Sequence, residues 1–171
     1  MIRPAGELAN QFTWALWCKQ AGDGGGVNNV ILGNRYGGTG DPLQFIKFTP
    51  TNFEYYRGGH QGTIAYTNIP ADEWVHLVVV KDGPNLTHYR NGVETESNTT
   101  TVNIDENPFS MGGDATNGAE YWNGSLSDVA LFTIALTPEL IQSVMAGGGL
   151  SPELASAPDP EDEIVDVARD V

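Results

Sequence analysis

Residues 121–149, YWNGSLSDVALFTIALTPELIQSVMAGGG, set a strand directly before a helix, and this order restricts the architecture more than any other stretch of the chain. Asn123-Gly124 is a turn signal. The residues after it alternate, with Leu126, Asp128, Ala130 and Phe132 on one side and Ser127, Val129 and Leu131 on the other, which is the period of a strand. Thr137-Pro138 stops that strand: the hydroxyl can cap a helix, and proline at the first helical position gives up an N–H that has no helical partner anyway. Leu140, Ile141, Val144 and Met145 follow at helical spacing, and Gly147 to Gly149 supply a terminating cap. The expectation is a final strand carrying an aspartate, closed by a short helix near 138–146.

Upstream the pattern is β throughout. Residues 11–19, QFTWALWCK, put Phe12, Trp14, Leu16 and Cys18 on one face and Thr13, Ala15 and Trp17 on the other. A tryptophan on each face means that one face enters a core while the other is covered or lines a groove. A further strand is expected over 27–33. Residues 43–49 and 52–57 read as a hairpin around Pro50-Thr51, the second arm facing Phe53, Tyr55 and Arg57 one way and Asn52, Glu54 and Tyr56 the other. Lys47 or Phe45 is expected across from Tyr55. Residues 74–83 are apolar on both faces and mark a central strand. Asn91-Gly92 is the strongest hairpin signal in the chain, because both residues tolerate positive φ. Residues 94–105 are polar and threonine-rich, half strand and half loop.

The chain has 171 residues, enough for one β-sandwich with a substantial core. With 22 acidic against 8 basic residues its formal charge is -14, which repels nucleic-acid backbones and anionic membranes. No apolar run is long enough for a membrane span, so no membrane insertion is expected. Cys18 is the only cysteine and excludes an intrachain disulfide. Met1-Ile2-Arg3-Pro4 does not read as a signal peptide, so the chain is expected to be a module of a longer protein. The division expected is a domain over 1–150 and an acidic, Pro158- and Pro160-containing linker over 151–171, with seven acids against Arg169, leading to a following domain.

The strand-helix segment at 121–149 resembles the closing segment of the laminin-G-like, concanavalin A-like jelly rolls found in large secreted, bacterial, multi-module proteins. Four other stretches carry the same resemblance: Phe12-Thr13 followed by Trp17, Trp74-Val75-His76 with its apolar run to Asp82-Gly83, the hairpin ending Asn91-Gly92, and Pro108-Phe109-Ser110-Met111-Gly112-Gly113. Together they cover about residues 10–149. At the front the chain departs from the pattern, because only residues 2–10 are available for the family's usual preceding strand. The resemblance implies an all-β, antiparallel two-sheet β-sandwich acting as an extracellular or cell-surface recognition module, with His76 structural. It also implies calcium: in the related family 16 glycoside hydrolases an aspartate on the matching strand helps hold a structural ion. Asp128 stands at that place, with Asp114 and Glu7 as weaker ligands; the alternative is that Asp128 accepts N–H bonds from the adjoining turn.

Catalysis is not expected. Hydrolases of this fold set carboxylates on alternate residues of a central strand, whereas the only alternate pair in the sandwich, Glu94 and Glu96, follows an exposed turn. The reading is a non-catalytic module binding a glycan or polysaccharide through Arg35, Tyr36, Tyr55, Arg57, His60, His88 and Arg90, with Trp122 at the edge. Aromatic faces stack on sugar C–H faces, and Arg and His hydrogen-bond hydroxyls. For the same tyrosines, cross-strand packing is the competing role. The alternative function is an adhesion or assembly domain that binds a protein partner, or itself, through loops or edge strands.

Overall fold

The computed structural model describes residues 10–22, 26–34, 43–104, 109–114 and 119–147. In chain order the elements are β1 (Gln11–Gln20), β2 (Leu32–Gly33), β3 (Gln44–Phe48), β4 (Asn52–Arg57), β5 (Ile64–Ala65), β6 (Trp74–Asp82), β7 (Asn85–Arg90), β8 (Val93–Thr99), β9 (Ser110–Met111), β10 (Gly124–Phe132) and α1 (Pro138–Met145). They form two five-stranded antiparallel sheets. Sheet A runs β10-β1-β6-β7-β8 and sheet B runs β5-β4-β3-β2-β9. The expected all-β sandwich with one C-terminal helix is what the chain adopts.

The core between the sheets is built from alternate residues. β1 contributes Phe12, Trp14, Leu16 and Cys18, β6 contributes Val75, Leu77 and Val79, and the opposing sheet contributes Ile46, Phe48, Phe53 and Tyr55. The other face of sheet A is also covered over part of its area. Ala15, Val78, Val80 and Tyr89 pack there against Leu136 and Ile141, so β6 is buried on both faces, as its uninterrupted apolar run requires. Thr137 caps α1, its hydroxyl accepting from the Leu140 N–H. The fully buried Thr13 hydroxyl fastens the approach to the helix: it donates to the Ile134 carbonyl at 2.9 Å and accepts from the Leu136 N–H at 3.0 Å. The uncovered part of that face carries Trp17 and Trp74.

Three local features follow from turn chemistry. Asn91 and Gly92 take φ of +51° and +77°, joining β7 to β8 in the tight turn their sequence indicates. Thr49 and Asn52 close a two-residue connection between β3 and β4, with Phe48 opposite Phe53. That register puts Ile46 across from Tyr55; Phe45 pairs with Tyr56 and Lys47 with Glu54, one residue away from the expected pairing. The strand expected over 27–33 narrows to β2, since Val30 turns to the neighbouring segment and its N–H donates to the Glu120 carbonyl at 2.9 Å.

β10 departs from simple alternation. Ala15 pairs with Ala130 and Trp17 with Ser127, so Asp128 and Val129 together oppose Leu16 in a β-bulge, and Asp128 takes φ of +49°. The bulge reverses the side on which residues point. Leu126 packs into the inter-sheet core, whereas Phe132 packs on the helix side, and Asp128 is exposed. The single face expected for Leu126, Asp128, Ala130 and Phe132 is therefore corrected. Holding a non-glycine residue in this region costs on the order of 1 kcal/mol.

Two histidines are locked inside. His88 is 0 % exposed, stacked on Tyr66 with ring centroids 4.5 Å apart, and its Nδ1 lies 2.6 Å from the Thr95 hydroxyl. His76 is 1 % exposed beneath Trp17. Burial pushes His88 down to about 3, helped by the Arg90 guanidinium, and His76 down to about 4 against a small opposing pull from Asp128. In the unfolded chain both return to the ordinary value of 6.5. Between those values the unfolded state binds the extra protons, so stability is full above pH 6.5 and falls as pH drops towards 4 and then 3. Each unit of displacement corresponds to about 1.4 kcal/mol. Urea midpoints should therefore fall steadily from pH 6.5 to pH 5, above the carboxylate range, and His88→Phe, which keeps the stack on Tyr66, should flatten that slope. Thr13→Val should lower the urea midpoint at unchanged m-value by about 1–3 kcal/mol, because it leaves the Leu136 N–H buried without an acceptor.

Candidate functional site

In a sandwich the inward rows are consumed by the core, so binding chemistry has to come from outward rows and loops. On the outer face of sheet B, β3 presents Phe45 and Lys47 and β4 presents Glu54 and Tyr56 as two adjacent cross-strand pairs. The Phe45 and Tyr56 rings are stacked, with centroids 4.9 Å apart and planes inclined by 5°. The His60 ring meets the Tyr56 edge at 5.4 Å and 86°, and its Nδ1 lies 2.9 Å from the Thr63 hydroxyl. These residues, with Asn28, Leu43 and Glu120, line a cavity of about 300 Å³.

Beside the ring pair lies a charge cluster. Lys47 Nζ donates to Glu120 Oε2 at 2.9 Å and to the Asn28 carbonyl at 2.9 Å, and lies 3.4 Å from Glu54 Oε2. The Lys47 side chain is 3 % exposed and that of Glu54 is 10 % exposed, so the pair is largely out of water. Lys47 Nζ also stands 5.5 Å from the Phe45 ring centroid. The backbone makes room for this arrangement: a Cβ at Gly33, the ladder partner of Lys47, would come within 2.6 Å of Lys47 Cβ. Phe45 is 4 % exposed, so Tyr56 is the ring of the stacked pair that a ligand can reach, and an aromatic surface beside fixed donors and acceptors suits a sugar ring that is apolar on one face and hydroxylated at its rim.

Of the expected ligand residues, His60 lines this cavity. Tyr55 does not: it is 0 % exposed on the inward row, its hydroxyl donates to the Val102 carbonyl at 2.7 Å, and burial pushes the phenol well up. His88 is likewise in the interior, and Trp122, 8 % exposed, packs in the inter-sheet core with its indole N–H 3.5 Å from Gln20 Oε1. These three cannot offer a ring face to a ligand. Arg57 and Arg90 lie away from the cavity and donate to the carbonyls of Asn103, at 2.6 Å, and Thr67, at 3.0 Å. Arg35 and Tyr36 lie outside the described residues. The residues missed are Asn28, Phe45, Lys47, Glu54, Tyr56 and Glu120. The four strand residues were reachable from the sequence, because a two-residue connection with Phe48 opposite Phe53 sets Phe45 against Tyr56 by simple counting.

The expected calcium ligands are not assembled among the described residues. Asp128 is exposed and accepts from the Ser127 hydroxyl at 2.9 Å, Asp114 is buried in a backbone bridge to Ala119, and Glu7 lies outside the described part. Among the described residues no three His, Cys, Asp or Glu side chains come together as a metal site.

Comparison with curated proteins returns no match. Solved structures do match. Domain 4 of an extracellular arabinanase from Geobacillus stearothermophilus, in complex with arabinotriose, is 21 % identical, with a TM-score of 0.56 over 81 % of this chain and 69 % of that one. A Bacteroides ovatus protein whose carbohydrate binding is inferred is 17 % identical, with a TM-score of 0.63 over 83 % of this chain and 42 % of its own length. Trypanosoma rangeli sialidase is 17 % identical, with a TM-score of 0.58 over 79 % of this chain and 22 % of the enzyme. At such identities the likeness is one of fold. A laminin G family model, described as the concanavalin A-like lectin/glucanases superfamily, matches residues 3–142. With that match spanning most of a two-sheet antiparallel sandwich, the chain belongs to the concanavalin A-like lectin/glucanase superfamily.

Proposed function

We propose that this chain is a non-catalytic carbohydrate-binding module that takes a neutral glycan or polysaccharide on the outer face of sheet B, at the surface of the cell or outside it. The observation that carries the reading is the Tyr56 ring, half-buried and braced by its parallel stack on Phe45, in a cavity of about 300 Å³ next to the Lys47–Glu54–Glu120 cluster. One sugar ring can pack against the half-buried Tyr56 ring while its hydroxyls meet the exposed His60 ring and the Glu120 carboxylate, the least buried member of the cluster. The cluster holds two carboxylates and one ammonium, which disfavours an anionic ligand. Both glutamates point at Lys47, an arrangement for fixed recognition rather than for the acid and base of glycoside hydrolysis, which must face a scissile bond from opposite sides. The superfamily membership, the arabinotriose complex of one structural neighbour and the inferred role of another support the ligand class. No helix among the described residues is long and apolar enough to cross a membrane.

A protein-binding role has one observation in its favour: β8 is a sheet edge with all seven residues exposed. Glu94 and Glu96 on that edge work against strand addition.

Affinity electrophoresis of the full chain through neutral polysaccharides tests the first reading. Retardation by at least one polysaccharide is expected. Tyr56→Ala should weaken it about tenfold, about 1.4 kcal/mol of binding, in a protein that still unfolds cooperatively with a melting temperature lowered by the lost stack on Phe45. Arg57→Ala, remote from the cavity, should leave it intact. No retardation by any neutral polysaccharide, or full retardation of Tyr56→Ala, would rule the site out.

A further inference from the structure

The outer face of sheet A, on the opposite side of the sandwich, is packed under α1 and the residues before it at Ala15, Val78, Val80 and Tyr89, and the end of the helix reaches Trp17. Beyond Trp17 the face opens. There Trp17, Trp74, Ser127 and Asp128 line a second cavity of about 290 Å³. Trp74 is 44 % exposed, and Lys19, its ladder partner, holds its ammonium 5.7 Å from the Trp74 ring centroid. Trp17 is fixed from behind, its indole N–H donating to the Met145 carbonyl at 3.3 Å and its ring packed on His76. The bulge in β10 turns Asp128 to this cavity, and the Ser127 hydroxyl donates to the carboxylate at 2.9 Å.

We propose that this face is a second saccharide subsite, separate from the cavity on sheet B. The ligand class follows from the polar set. Lys19 and Asp128 give opposite charges that sum to zero, and the set offers donors (the ammonium), acceptors (the carboxylate) and a hydroxyl capable of both roles. An anion would meet Asp128 and a cation would meet Lys19. A neutral polyol satisfies both, and the Trp74 face takes the apolar side of its ring. A second observation is independent of the lining. Asp128 is one of four non-glycine residues with positive φ among the described residues, and it sits in mid-strand, outside any connecting turn. Backbone strain of that kind concentrates at binding sites, where it aims a side chain. The domain then has two sugar-binding faces, back to back, and can engage two chains of one polysaccharide.

The indole N–H resonances of the full chain test this, because the sheet B cavity contains no tryptophan among its lining residues. The probes are arabinotriose, cellotriose and maltotriose, added to ¹⁵N-labelled protein. The Trp74 and Trp17 indole signals should shift saturably with at least one of them while those of the buried Trp14 and Trp122 stay in place. The same shift should persist in Tyr56→Ala, so loss of the sheet B site and loss of this one are told apart. Asp128→Asn, which tolerates the same backbone, should require about tenfold more sugar, the effect of removing a charged hydrogen-bond partner. The inference is overturned if no indole signal moves with any of the three sugars, or if the shift disappears in Tyr56→Ala. It is equally overturned if the Trp74 signal changes with protein concentration alone and sedimentation shows a larger mass, which would give the face to a second copy of the chain.

Discussion

The structure depends on β1 lying between β10 and β6 with both of its faces in use. Cys18 cannot form an intrachain disulfide, and the described residues assemble no metal site, so the burial of this strand carries the weight such staples would carry elsewhere. Its inward row, Phe12, Trp14, Leu16 and Cys18, is at most 1 % exposed and faces sheet B. Its outward row divides the opposite face into two regions. Thr13 and Ala15 lie under the chain as it returns as α1; Trp17 lies at the end of that cover, held by the Met145 carbonyl, and lines the second cavity. A hydroxyl at Thr13, in place of another aliphatic side chain, sets how far the cover extends, because it ties down the residues between β10 and the helix. The open half of sheet A is thus a consequence of where the covering helix is anchored.

The Lys47 cluster follows a different logic. Taking an ammonium and two carboxylates largely out of water costs several kcal/mol per ion, and mutual attraction repays this only with good geometry. A hydrophobic trio of similar volume would hold the two strands at least as well. Lys47 is closely held all the same, by Glu120, by the Asn28 carbonyl and by Glu54, and a glycine on β2 gives it space. This is an arrangement that specifies geometry more than it stabilises the fold, and such arrangements suit a binding surface, whose polar groups must be in position before the ligand arrives.

Much of the architecture was legible in the residues. The two-sided apolar run of β6, the Thr137-Pro138 start of α1 and the Asn91-Gly92 turn each report a local rule that tertiary structure did not override. The site was legible only up to parity. In β4 the two rows were separated correctly, but period-2 alternation does not say which row faces inward, and Phe53, Tyr55 and Arg57 look as suited to a groove as Glu54 and Tyr56. The inward row turned out to be Phe53 and Tyr55, both 0 % exposed. In β10 the obstacle was different. A bulge adds one residue against its partner and exchanges the faces beyond it, and Asp128 carries no glycine signal to announce this. His88 and Trp122 were polar-tipped rings that the core absorbed, a fate that composition does not reveal.

The strained positions tie these points together. Among the described residues four that are not glycine have positive φ: Asp72, Asn91, Glu120 and Asp128. Asn91 belongs to a tight hairpin that requires that conformation, and Asp72 lies in the turn leading into β6. The other two are carboxylates that line the two cavities described above, one on each side of the sandwich. A glycine at either position would relieve about 1 kcal/mol of backbone strain, yet it would delete the oxygen atoms the backbone is bent to present. Strain spent on aiming a carboxylate returns nothing to the fold, so it has to be offset by burial elsewhere. β6, buried on both faces, and the inward row of β1 provide that burial, and they allow the two outer faces to carry polar groups at positions where packing alone would place none.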